Sequence, residues 1–98
     1  MNKEMGHMPK YVIERTVPGV GRMSPEQLRA LSAKSNAVLA DMDGNIQWVH
    51  SYATEDKLFC VYNADNKELI REHARSGDFP CDAIHQVGAI IDPVTGEA

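Results

Sequence analysis

No apolar run in this chain approaches the roughly 18–20 residues that cross a bilayer, and residues 1–10 have no apolar centre of the kind a secretory signal needs. The expectation is a cytoplasmic protein with no membrane partner. Basic residues are few and scattered: ten Lys and Arg stand against fourteen Asp and Glu, for a net charge of −4. No cluster can hold a phosphate backbone, which argues against a nucleic-acid partner. The two cysteines, Cys60 and Cys81, lie far apart in a chain that is 43% hydrophobic, so reduced thiols are expected, not a disulfide staple. Cys-x-x-Cys and His-x-x-x-His pairs are missing, as are a nucleophile elbow, a glycine-rich phosphate loop and a complete triad. Hydrolase and nucleotide chemistry are thereby set aside. The Asp41, Asp43 and Asn45 cluster is superficially like a calcium loop, but Gly44 comes too early and the closing glutamate is absent. It reads as a helix C-terminal turn.

What is present is an ordered succession of signals. The 98 residues suit one domain, expected over 9–95, with 1–8 a disordered extension or expression remnant and Met8 an alternative start. Tyr11 to Val17 is rich in β-branched residues and is stopped by Pro18 and Gly19, the mark of a strand. Ser24, Pro25, Glu26 and Gln27 form a capping box with proline in the first turn, and Leu28, Leu31, Ser35, Val38, Leu39 and Met42 then recur at helical steps up to Gly44. Residues 46–53 and 57–62, separated by Thr54, Glu55 and Asp56, read as an antiparallel hairpin. Asp65 with Glu68 predicts a second capping box, and Leu69, Ile70, His73 and Ala74 the inner stripe of a helix closed by Gly77. A last strand is expected over 84–92.

The order β-α-β-β-α-β predicts an α+β, ferredoxin-like fold: a four-stranded antiparallel sheet with both helices on one face. Two helices cover only one side of the sheet. The face carrying Val49, Phe59 and Val61 would stay apolar and open, which predicts a symmetric homodimer packed through it.

Candidate chemistry gathers around the hairpin. By simple alternation His50 shares a face with Trp48 and Tyr52, and Tyr62 or Cys60 opposes them. If that face lies under the helices, His50, Tyr52, Tyr62 and His73 converge on one cleft. If it is the other face, the sheet separates His50 from His73. Convergence would allow a divalent metal on His50 and His73 with a carboxylate such as Glu14 or Glu72, nitrogen and oxygen donors that suit nickel or zinc better than copper(I). It would equally allow Trp48, Tyr52 and Tyr62 to wall a small-ligand site. The alternative is then a cofactor-independent monooxygenase or isomerase, with His50 as base toward a small aromatic or enolisable substrate. The structural readings of the same residues are a core histidine at position 73 and packed, hydrogen-bonded tyrosine rings.

Six blocks, Pro9–Arg15, Gln47–Tyr52, Phe59–Tyr62, Arg71–Ala74, Gly77–Pro80 and Ile91–Pro93, resemble the signature segments of a bacterial family of short proteins of unknown function. Some of its members are labelled nickel-binding proteins. The resemblance spans about residues 9–95 and is most specific at Trp48 to Tyr52. It implies a ferredoxin-like fold that pairs into a dimeric α/β barrel, a superfamily that also holds monooxygenases, isomerases and haem proteins. It also implies nickel as cofactor, and Glu14, His50, Tyr52, Tyr62 and His73 as candidate site residues.

Overall fold

The computed structural model describes residues 8–97, and the expected extension over 1–8 lies, apart from Met8, outside them. Strands β1 (Lys10–Thr16), β2 (Ile46–Ala53), β3 (Lys57–Ala64) and β4 (Ala83–Gln86) form one sheet in the order β2-β3-β1-β4. Every pairing is antiparallel. Helices α1 (Pro25–Ala40) and α2 (Lys67–Gly77) fill the two crossovers and pack on the same face. This is the ferredoxin-like α+β arrangement that the order of signals predicts.

Local chemistry sets the boundaries. Ser24 Oγ accepts from the Gln27 amide at 3.1 Å and Gln27 Oε1 accepts from the Ser24 amide at 2.8 Å, the reciprocal box that starts α1. For α2 the cap is Asn66, one residue later than expected. Its side chain accepts from the Leu69 amide, whereas Asp65 is tied to the preceding turn through Asn45 Nδ2 and the Asn45 carbonyl. Ile70, His73, Ala74 and Gly77 form the buried stripe of that helix.

β4 is shorter than the predicted 84–92. It pairs only with Tyr11 to Glu14, and its last bond runs from the Val87 amide to the Lys10 carbonyl. The residue before Lys10 is Pro9, which has no N–H to extend the ladder. Ile90 and Ile91 consequently leave the sheet and are exposed.

The register fixes two faces. Tyr11, Ile13 and Arg15 of β1 lie opposite Tyr62, Cys60 and Leu58 of β3 beneath the helices, and Ile13, Tyr62, Ala64 and Ile70 are at the centre of the core. Val12, Glu14, Phe59, Val61 and His85 occupy the open face. A 3-10 turn over Val20–Arg22 clips onto the β2–β3 turn, with Gly21 donating to the Glu55 carbonyl and Gly19 to Asp56 Oδ1. A Cβ on Gly21 would stand 2.5 Å from the Thr54 carbonyl oxygen and 2.9 Å from Glu55 Cα, backbone atoms that cannot swing aside. Gly21→Ala is therefore expected to cost about 1–3 kcal/mol in urea denaturation. An unchanged midpoint would show that this contact is slack.

Candidate functional site

Strand β2 does not alternate simply. Trp48 pairs with Tyr62 and His50 with Val61, the next residue of β3, so Val49 is an extra residue at a β-bulge. Before it Ile46 and Trp48 face the helices; after it Ser51 does, opposite Cys60. The bulge turns His50 and Tyr52 to the open face, where their rings meet edge to face at 4.9 Å. His73 lies beneath the helices, 1% exposed. The expected convergence of His50, Tyr52, Tyr62 and His73 is thus corrected: the sheet stands between the first two and the last two.

The cleft itself exists. A cavity of about 240 Å³ opens between the first half of α1 and the β2 edge. Its rim is apolar and half-exposed, formed by Leu28, Leu31, Trp48 and Leu58. Its floor is polar and buried, formed by Arg15, Ser35, Tyr62 and His73. Trp48 Nε1 donates to Ser51 Oγ at 2.9 Å, which holds the indole as a side wall.

His73 Nε2 lies 3.2 Å from Ser35 Oγ, and Nδ1 has no partner among the described residues. Burial, followed by the nearby Arg15 charge, pushes the His73 pKa down to about 4, so the ring is neutral at pH 7. Burial raises the Tyr62 phenol above its ordinary value, against smaller opposing effects of Arg15 and Ser35. Arg15 donates from Nη1 to the Pro80 carbonyl and sits 5.6 Å from the centre of the Phe79 ring. Its Nη2 finds no acceptor among the described residues. The enzyme alternative assigned the base to His50; the imidazole that lines this cleft is His73, whose lowered pKa makes it a weak base.

The open face holds a second cluster. Glu14 Oε2 accepts from His85 Nε2 at 2.8 Å, and Oε1 stands 3.6 Å from Lys57 Nζ. The His85 hydrogen bond, opposed by partial desolvation and aided by Lys57, holds the Glu14 carboxyl below its usual pKa. His50 is on this face but two strands away from Glu14, and from β2 to β4 is about 14 Å at the usual strand spacing. One ion with ligand bonds near 2 Å cannot span that. No group of three His, Cys, Asp or Glu among the described residues is placed to hold a metal. Glu14 and His85 are donors of the class nickel accepts, and within one chain they make only part of a coordination shell. His85 was not singled out from sequence because the strand bearing it gave no register; its pairing opposite Val12 is what sets it beside Glu14.

Cys60 and Cys81 are free thiols, and no described helix is long and apolar enough to cross a membrane. A family model described as nickel responsive protein SCO4226-like matches residues 11–87. The crystal structure of SCO4226 from Streptomyces coelicolor A3(2) is similar with a TM-score of 0.67 at 20% identity, over 84% of this chain and 99% of that one. That is a likeness of fold. No curated protein sequence matches the chain significantly.

Proposed function

We propose, from the premise that the chain belongs to the nickel-responsive SCO4226-like family, that it binds a divalent transition metal, nickel by the family's name, on the open face of its sheet. The role is sequestration or sensing by a cytoplasmic homodimer. The observation that carries this reading is the Glu14–His85 contact, a carboxylate and an imidazole already 2.8 Å apart on a solvent-facing strand pair. Both groups would hold the ion, which would replace the proton now shared between them and lock the two strands together. His73 is set aside as a ligand, because the Arg15 cation beside it repels a second cation.

A second copy packed face to face would cover Val12, Phe59 and Val61, and would bring its own Glu14, His85 and His50 to the same layer. That supports completion of the coordination shell across the interface. Isothermal titration of tag-free protein with nickel is expected to show saturable binding, weakened at least roughly tenfold, about 1.4 kcal/mol, in Glu14→Gln and in His85→Ala, and unchanged in His73→Gln. Absence of saturable binding, or binding indifferent to both open-face substitutions, would discard the reading. Val61→Glu is expected to shift sedimentation from dimer to monomer and to weaken nickel in parallel; a wild-type monomer would remove the shared-shell part alone.

A further inference from the structure

The cavity beneath the helices has a property the metal reading leaves unexplained. Arg15 is 3% exposed, and among the described residues no carboxylate pairs with it. Its Nη1 donates to a carbonyl, the Tyr62 hydroxyl lies beside the group, and its Nη2 has no hydrogen-bond partner among the described residues. A buried guanidinium without an anion forfeits its hydration for little return. The chain has fourteen Asp and Glu, yet among the described residues none lines this cavity. Asp82, a nearby acid, is occupied by the Thr16 amide at 2.7 Å and the Thr16 hydroxyl at 2.6 Å. Among the described residues the positive charge of the floor is therefore met by no carboxylate in the cavity itself, and Asp82 acts on it only from outside.

We infer that the helix–sheet cavity is a binding site for a small organic carboxylate, with its anionic head on the Arg15 guanidinium and its apolar body between Leu31 and Trp48. A planar carboxylate matches the guanidinium fork, and the Tyr62 and Ser35 hydroxyls beside it are further donors. The gradient from polar floor to apolar rim selects orientation: the charged end enters first and the hydrocarbon stays outermost. Size selects class. An apolar cavity of about 150 Å³ accommodates benzene, so about 240 Å³ has room for a benzene-sized body and a carboxylate. Aryl and branched short-chain acids fit this description. The inference is independent of metal binding, because Glu14 and His85 lie on the opposite side of the sheet.

Titration of the full chain with benzoate, and with benzyl alcohol as a neutral analogue of the same size, tests it. Benzoate is expected to bind saturably in the millimolar range or tighter, and benzyl alcohol at least roughly tenfold more weakly. Arg15→Met should abolish the preference for the anion, and Arg15→Lys, which keeps charge but loses the fork, should recover part of it. Leu31→Trp fills the rim without altering charge and is expected to exclude both probes, whereas adsorption to surface lysines would survive it. Glu14→Gln should bind benzoate as the wild type does. Equal affinity for the two probes, benzoate binding that persists in Arg15→Met, or failure of both benzoate and isovalerate to bind would overturn the inference. The thermal unfolding midpoint of each variant shows whether a loss of binding is a loss of fold.

Discussion

Lowering the pH from about 7.5 to about 4 is expected to remove about 3 kcal/mol of folding stability through one side chain, His73. Its pKa in the folded chain is about 4 against an ordinary 6.5, so between those values the unfolded chain takes up a proton that the folded chain refuses. Stability from this group is complete above about pH 6.5, falls as pH falls, and is gone below about pH 4. The causes are visible around the ring. Burial to 1% exposure comes first, the Arg15 charge second, and among the described residues no carboxylate lines the cavity to welcome an imidazolium. Glu14 and Asp82 also have lowered pKa values, and their contributions are lost as pH falls below the ordinary carboxylate range, a separate and more acid window. Urea denaturation at successive pH values should therefore show a steep limb from about pH 6.5 to 4 that is flattened in His73→Gln, which keeps a polar partner for Ser35 and does not titrate. Parallel curves for wild type and variant would mean that the imidazole is reached by solvent and protonates as it does in the unfolded chain.

The fold was legible because its signals are local. The reciprocal box at Ser24 and Gln27, the stripe ending at Gly77 and the hairpin around Glu55 each follow from bonds between residues three or four apart, or across one turn. What was not legible depends on partners distant in sequence. The extent of β4 is set by Pro9, over seventy positions earlier, which ends the ladder. The place of His50 is set by the bulge at Val49, and a bulge leaves no mark in a run of Trp, Val, His and Ser that alternates as well without one. A single extra residue was enough to send His50 and Tyr52 to the side opposite Trp48. Arg15 escaped notice for a related reason: alternation places it inward with Tyr11 and Ile13, and an inward arginine at a strand end reads as a snorkelling side chain until its surroundings are known.

The same alternation sorts the chemistry of the two faces. Glu14 and Arg15 are adjacent in sequence and opposite in charge, yet β pleating puts one on the open face with His85 and the other under the helices with His73. Each imidazole thus takes on the character of its neighbour. His85 is held beside an anion, where a metal cation is favoured; His73 is held beside a cation, where a proton is disfavoured and an organic anion is attracted. A sheet one residue thick suffices to keep the proposed cation site and the proposed anion site from cancelling.

Arg15→Met is expected to stabilise the free protein by about 1–4 kcal/mol at neutral pH, an increase where loss of a buried polar side chain usually brings a decrease. The guanidinium gives up its hydration for one carbonyl bond, the face of Phe79 and the neighbouring Tyr62 hydroxyl, while Nη2 has no hydrogen-bond partner among the described residues. Methionine keeps the apolar stem, adapts its rotamer to the space and leaves the exposed Pro80 carbonyl to water. The gain should grow on acidification. Without the Arg15 charge, His73 is lowered by burial alone, its folded pKa lies nearer 6.5, and less stability is lost between about pH 6.5 and 4. Urea midpoints of the two proteins should accordingly diverge from pH 7.5 to pH 5, in favour of the variant. A residue retained for packing would behave in the opposite way, weakening the fold at both pH values when replaced. That outcome would make Arg15 a structural side chain and deprive the carboxylate site of its reason to exist. A more stable Arg15→Met that no longer distinguishes benzoate from benzyl alcohol would show a cation held in the core at the expense of stability, for the anion it receives.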